Sequence, residues 1–249
     1  TKDLANQYNI QMVPMHVSFD NETLDDAAFP VQKIVEYYKE TGKLPKTSGS
    51  TPEDFIKAFD EIHAKWPDAH ILYLAYSAIT TCSYQSAVIA SEGRDYVTAI
   101  DTKQVSVGQA AVVIEVAKFL KEKPEATIEE VVEKAKELSA KANMCFLPDN
   151  LEFLRAGGRV SNVAFLGSRI LGIHPCIEIL EGKLVATKKY RGKMSRVLPE
   201  YVEEMLPELQ KAKKDRVFIT HSGCSEETIQ QVKTLLEGLG RFHEIHVPR

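Results

Sequence analysis

The sequence predicts an α/β protein of two packed α/β domains, the first with a mostly parallel sheet and the second with a mixed sheet that includes a β-hairpin. Three observations predict it. Apolar, β-branched runs alternate with segments of helical periodicity as far as Asn143. Beyond Asn143 the segments shorten, and CIEILEGKLVATKKY sets Glu181-Gly182 between two alternating runs, as a two-residue hairpin does. The chain has 249 residues and no linker-like stretch. Two small domains that pack together fit that length, residues 1–145 and 146–249.

Each element has a local reason. IQMVPMHVSF (10–19) reads as a strand with Pro14 near its middle, hence an edge or bulged strand. Val31, Ile34, Val35 and Tyr38 fall at helical spacing, with Pro30 opening the helix and Gly42 closing it. Thr51 is set to cap a helix with Pro52 at its first position and Glu53 and Asp54 in its first turn. Phe55, Phe59, Ile62 and Trp66 give that helix one apolar face. AHILYLAY (69–76) and YVTAID (96–101) are strands, followed by helices from Ser83 and over 106–121. Ile128, Val131, Val132, Ala135 and Leu138 line a helix after Thr127. NMCFLP is a short strand, DNLEFLRAGGR a short helix ended by Gly157 and Gly158, and 161–172 another. After the hairpin come a helix (195–211), the strand RVFITH, a helix (225–238) and the strand FHEIHV.

Composition excludes several classes. Hydrophobic residues make up 44% and charged residues 27%, so the chain is neither disordered nor fibrous. With 31 basic and 35 acidic residues the net charge is −4, which offers nucleic acid no attractive field. No apolar run nears the ~18 residues of a membrane span. The first ten residues lack the apolar core of a secretory signal. Cys82, Cys145, Cys176 and Cys224 are scattered, as in a reduced cytoplasmic protein whose thiols act as small buried hydrophobes.

Common site motifs are missing. There is no Walker A, GxGxxG, GxSxG or HExxH pattern. His243 and His246 face opposite sides of a strand and make a poor metal pair, so no metal is expected. His221 and Cys224, with Cys224 starting a helix, lack a third group to orient a catalytic pair. Two hydroxyl clusters carry more information: Lys46-Thr47-Ser48-Gly49-Ser50-Thr51 and Ser77-Ala78-Ile79-Thr80-Thr81-Cys82-Ser83. Both precede helices, and the second follows a strand's carboxyl end, where α/β sheets bind ligands. Two readings stand: the clusters cap helices and shape turns, or they hold a small anionic head group on unpaired amides and hydroxyls. Neither cluster contains His, Asp or Glu, so a hydrolase or phosphotransferase would lack its general base there. Lys183, Lys188, Lys189, Arg191, Lys193 and Arg196 form a basic run without an acid. It is either a solvated strand face or a dock for an acidic partner.

Several segments, taken in order, resemble the DegV family of bacterial lipid-binding proteins. LPKTSGSTPEDF (44–55) is similar to its P-x-T-S-x-P-S-x-x-x-F signature, YSAITTCSYQSA (76–87) to its S-S-x-L-S-G-T-Y-x-S-A region, and DTKQVSVGQA (101–110) to D-S-x-x-x-S-x-G. Residues 151–193 resemble its L-x-x-L-x-x-G-G-R segment, the strand after it and an R-G motif, and ITHSG (219–223) its H-x-G element. The resemblance implies a two-domain binding protein, not itself an enzyme. It would bury one long-chain fatty acid, need no other cofactor, and present the carboxylate to the catalytic subunit of a fatty acid kinase. Carried over by position, Thr47, Ser48, Thr81, Cys82 and Ser83 are the head-group residues. Cys82 stands where the family has Gly, and His174-Pro175 where it has Lys-Pro. Arg159, Arg169, Lys188, Lys189, Arg191 and Lys193 are the candidates for kinase docking. A regulatory, lipid-sensing module is the remaining alternative. Against the family the sequence is short at both ends, so terminal segments are expected beyond Thr1 and Arg249.

Overall fold

The structure, a computed structural model, describes residues 2–26, 28–149, 151, 153–154, 173–211, 216–238, 242 and 244–246. The predicted short helices over DNLEFLRAGGR and 161–172 lie almost wholly outside these residues, as do Arg159, Arg169 and His243.

The chain opens with α1 (Lys2–Gln7), then β1 (His16–Phe19) and β2 (Glu22–Asp25). Next come α2 (Gln32–Thr41), β3 (Lys46–Ser48), α3 (Pro52–Lys65), β4 (Ile71–Ala75), α4 (Ser83–Ala90) and β5 (Val97–Asp101). α5 (Ser106–Glu122) and α6 (Ile128–Lys141) complete the N-terminal half. The rest holds β6 (Cys145–Phe146), β7 (Ile173–Leu180), β8 (Lys183–Arg191), α7 (Met194–Lys211), β9 (Arg216–Phe218), α8 (Glu226–Gly238) and β10 (Glu244–His246).

β4 and β5 pair in parallel, and helices cover both faces. Phe55, Phe59, Ala87 and Ala90 from α3 and α4 pack with Ile71 on one side. On the other, Val112, Val116, Val131 and Ala135 from α5 and α6 pack with Ile100. Burial on both faces explains why AHILYLAY reads as a continuous apolar run. α3 begins as its sequence predicts: Thr51 and Asp54 form a reciprocal capping box with Pro52 in the first turn. Thr127 and Glu130 do the same for α6.

The first strand differs from its sequence reading. β1 starts at His16, after Pro14, and lies in the centre of an antiparallel β2-β1-β3 sheet rather than at an edge. The missing proline amide therefore falls outside the ladder, and the Pro14 carbonyl instead accepts from Ser50 Oγ at 2.7 Å. α2 ends at Gly42 in the left-handed region, as predicted, but none of its residues is buried. Val31, at its N-cap, and Val35 are exposed.

β6, β7 and β8 form an antiparallel sheet, and β9 and β10 a separate parallel pair. The β7–β8 turn has φ of 47° at Glu181 and 81° at Gly182, both positive as the predicted two-residue hairpin requires. The hairpin packs back on the N-terminal half: Ile179 and Leu184 join Tyr76, Val105, Val107 and Met144 in one apolar cluster. The cysteines depart from expectation. Cys176 is buried and Cys145 partly so, but Cys82 and Cys224 are exposed. Both exposed thiols precede helix starts: Cys82 is the N-cap of α4, and α8 starts at Glu226, two residues after Cys224.

Candidate functional site

The structure brings the two hydroxyl clusters together at Gly49. A Cβ placed there would lie 2.6 Å from Thr81 Oγ1, 2.8 Å from Ser83 Oγ and 2.9 Å from Cys82 Sγ. Only glycine lets the end of β3 approach this closely. The Ser50 amide crosses the junction and donates to Ser83 Oγ at 3.0 Å. Ser83 Oγ also shares a hydrogen bond with Thr81 Oγ1 at 3.1 Å, and the Ser83 amide donates to Thr81 Oγ1 at 3.3 Å. Ser50 and Ser83 are 2% and 1% exposed, so this seam is dry and its hydroxyls satisfied.

The five predicted head-group residues divide between two environments. Thr47 and Ser48 are exposed on β3, opposite Val17 and His16 of β1. Thr81 is half-buried and Cys82 exposed, while Ser83 is committed to the seam between the loops. Cys82 occupies the N-cap of α4 and makes no capping hydrogen bond through its side chain. The first turn of α4 therefore presents amide donors and the positive end of a helix dipole beside Thr81. Such a surface suits a carboxylate or phosphate.

The loop of residues 77–82 is held from two further directions. Asp101 Oδ1 accepts from the Ala78 amide at 3.2 Å and the Lys103 amide at 2.9 Å. The Ser77 amide donates to the Gln104 carbonyl at 2.9 Å. Ser77 Oγ donates to the Gly182 carbonyl at the hairpin tip, 2.8 Å away, and Lys103 pairs with Glu181 at 2.8 Å. Sequence spacing gave no sign of the hairpin contact. In the structure, a Cβ at Gly182 would meet Ser77 Oγ at 2.6 Å, so the glycine the hairpin turn uses also admits this close approach.

His16 was also missed. Its Nε2 lies 2.8 Å from Asp54 Oδ2 and its Nδ1 3.0 Å from Asp25 Oδ1, with the side chain 16% exposed. Hydrogen bonding to Asp54 holds the imidazole pKa above its ordinary value, against the opposing effect of partial burial. Burial would raise Asp54, but hydrogen bonds from Thr51 and His16 outweigh it and hold the carboxyl below its usual range. With both ring nitrogens engaged, His16 has none free to take a proton from a neighbouring hydroxyl, so it does not serve as a general base in this arrangement.

The basic run divides by strand alternation. Lys188 Nζ and Tyr190 Oη both reach Glu204 Oε2 of α7 at 2.9 Å, so that face is neutralised. Lys189 and Arg191 alternate with them and are exposed, with no ion pair among the described residues. Lys193 is exposed just beyond β8.

Comparison with known proteins agrees in family and fold. A sequence model described as "Uncharacterised protein, DegV family" matches residues 1–247. The chain is 29% identical over 248 residues to a fatty acid-binding protein of Thermotoga maritima, covering 97% of this chain and 85% of that one. A solved DegV family protein from Thermus thermophilus, described by its fatty acid binding, superimposes with a TM-score of 0.85 at 26% identity, covering 99% and 87%. The Streptococcus pneumoniae fatty acid kinase B3 protein loaded with linoleic acid shares the fold, with a TM-score of 0.76 at 19% identity over 94% and 82% of the two chains. A match over nearly the whole length, on the fold those relatives share, places this chain in the DegV family.

Proposed function

We propose that this protein binds one long-chain fatty acid, holds its carboxylate where the two hydroxyl loops meet, and presents it to a fatty acid kinase for conversion to an acyl phosphate. Residues 1–145 supply the head-group loops, and residues 146–249 cover the acyl chain. The meeting of the loops at Gly49 carries this reading. Gly49 seats the segment that carries Thr47 against Thr81, Cys82 and Ser83 at the start of α4, and neither loop contains an acid to repel an anion. In this reading the Thr47 and Thr81 hydroxyls and the first amides of α4 are the donors. The fatty acid-binding relatives supply the ligand class.

The energetics fit a carrier. Burying about 14 methylenes contributes roughly 11 kcal/mol before ordering and association costs. Hydrogen bonds to the charged carboxylate add about 1.5–3 kcal/mol each. The tail therefore supplies most of the affinity, while the hydroxyls decide which end faces the partner. Thr47→Val combined with Thr81→Val removes two donors at little change in volume. Fatty acid retention should fall at least tenfold, read by mass spectrometry of lipid extracted from purified protein. Unchanged retention would defeat the assignment.

The exposed Lys189 and Arg191 are the proposed docking and phosphate-neutralising surface, with Lys193 beside them. Lys188, paired with Glu204, takes the smaller part. Reversing both charges, Lys189→Glu with Arg191→Glu, should slow kinase-dependent phosphorylation of bound fatty acid and leave retention at the wild-type level. Equal loss of both would assign the strand a structural role instead.

A further inference from the structure

The segment that carries Thr47 and Gly49 is bracketed by a side chain outside it. One end of the segment pairs with β1, where Ser48 lies opposite His16. The other end is Thr51, which caps α3 through Asp54. His16 joins these two anchors directly, by its contact from β1 to Asp54 on α3, while its other nitrogen meets Asp25 on β2.

The geometry states the protonation it needs. Ionised carboxylate oxygens only accept hydrogen bonds, and neutral imidazole carries a single N–H. Both contacts are hydrogen bonds only when the ring is protonated. A neutral ring leaves a lone pair facing Asp25 or Asp54.

We propose that His16 is a positioning residue for the head-group loop, and that its protonated ring, clipped between Asp25 and Asp54, makes fatty acid retention depend on pH. This rests on the fatty acid reading above. With the clip closed, β1, the β3 segment and the start of α3 move as one body, and Gly49 stays seated against Thr81 and Ser83. With the ring neutral, one arm opens and the seat loosens.

The charged groups facing the ring are Asp25 from β2 and Asp54 from α3. Ser48, opposite on β3, is uncharged, and Lys46 lies two residues earlier on that strand. The direction follows from these partners. The His16 pKa lies above its ordinary 6.5, so the clip is complete below that value and is lost as pH rises through the raised one. Asp54, held below its usual range, stays charged across this window.

The test is titration of cis-parinaric acid, a fluorescent long-chain fatty acid, into wild type and His16→Gln from about pH 6 to about pH 9. Wild-type affinity should fall about tenfold over that range, a change of one unit in the logarithm of the constant. His16→Gln should stay near the wild-type high-pH level throughout. The ligand's own ionisation is common to both proteins, so the difference between the curves belongs to His16. Asp25→Asn should move the wild-type midpoint to lower pH, because one carboxylate no longer favours the charged ring. These two profiles carry the test even if His16→Gln folds poorly. A flat wild-type difference profile, a His16→Gln curve that follows wild type, or an unmoved midpoint in Asp25→Asn overturns the proposal while parinaric acid still binds. No uptake by wild type at any pH overturns the fatty acid reading, and this inference with it.

Discussion

Gly49→Val should abolish fatty acid retention and lower the unfolding free energy by about 1–3 kcal/mol, the usual cost of forcing extra atoms into a packed seam. The new Cβ alone would stand within 3 Å of Thr81 Oγ1, Ser83 Oγ and Cys82 Sγ. Those side chains are short. Ser83 cannot rotate away without giving up the Ser50 amide, which would leave a donor unpaired in a dry seam. The strand and the α4 loop must then separate, and the two sets of head-group donors separate with them. Urea unfolding measures the first effect and lipid extraction the second. Full retention with unchanged stability would mean that the two loops do not need close approach.

Phe55→Ala should cost more, about 3–5 kcal/mol, because it empties a cavity in the core. Phe55 has 0% exposure, and its ring lies 4.8 Å from Tyr73 edge-on and 5.8 Å from Phe59. These three rings and Ile71 fix α3 against the parallel pair. Whole domains have only about 5–15 kcal/mol of stability, so the variant should unfold at a much lower urea concentration. A midpoint shift equivalent to less than 1 kcal/mol would show that the site relaxes to fill the space. The loss also reaches the head-group end. Phe55 follows the capping box by one residue, so a displaced helix start displaces Thr51 and its neighbours.

Features with local causes were legible in the sequence. Thr51 and Thr127 cap their helices because a side-chain oxygen reaches an amide three residues on. Gly182 reads as a hairpin residue because positive φ leaves few alternatives. The hydroxyl clusters read as candidate sites because they occupy the ends of strands and the starts of helices. Features made by distant partners were not legible. His16 and Asp54 are 38 residues apart, and nothing around either announces the other. Pro14 misled for a related reason. It suggested an edge within a ten-residue strand, whereas the ladder begins only after it. The spacing of Val31, Ile34, Val35 and Tyr38 announced the helix but not its burial, because periodicity reports that one side is apolar, not what lies against it. Gly49 lay within a quoted motif, yet its part in seating two loops needed the second loop in place.

The hydrogen bond from Ser77 to Gly182 spans 105 residues and has a consequence for how the molecule is made. A ribosome releases β4, α4 and their loop long before the hairpin that anchors that loop from outside. Until Gly182 emerges, the loop has its local supports from Asp101 and Gln104 but not the distal one. The N-terminal layers can thus pack early, on contacts close in sequence, while the head-group end is finished late, by a closure of high contact order. In a nascent chain, the loop of residues 77–82 gains its last anchor only when the hairpin arrives, after the layers beneath it are complete.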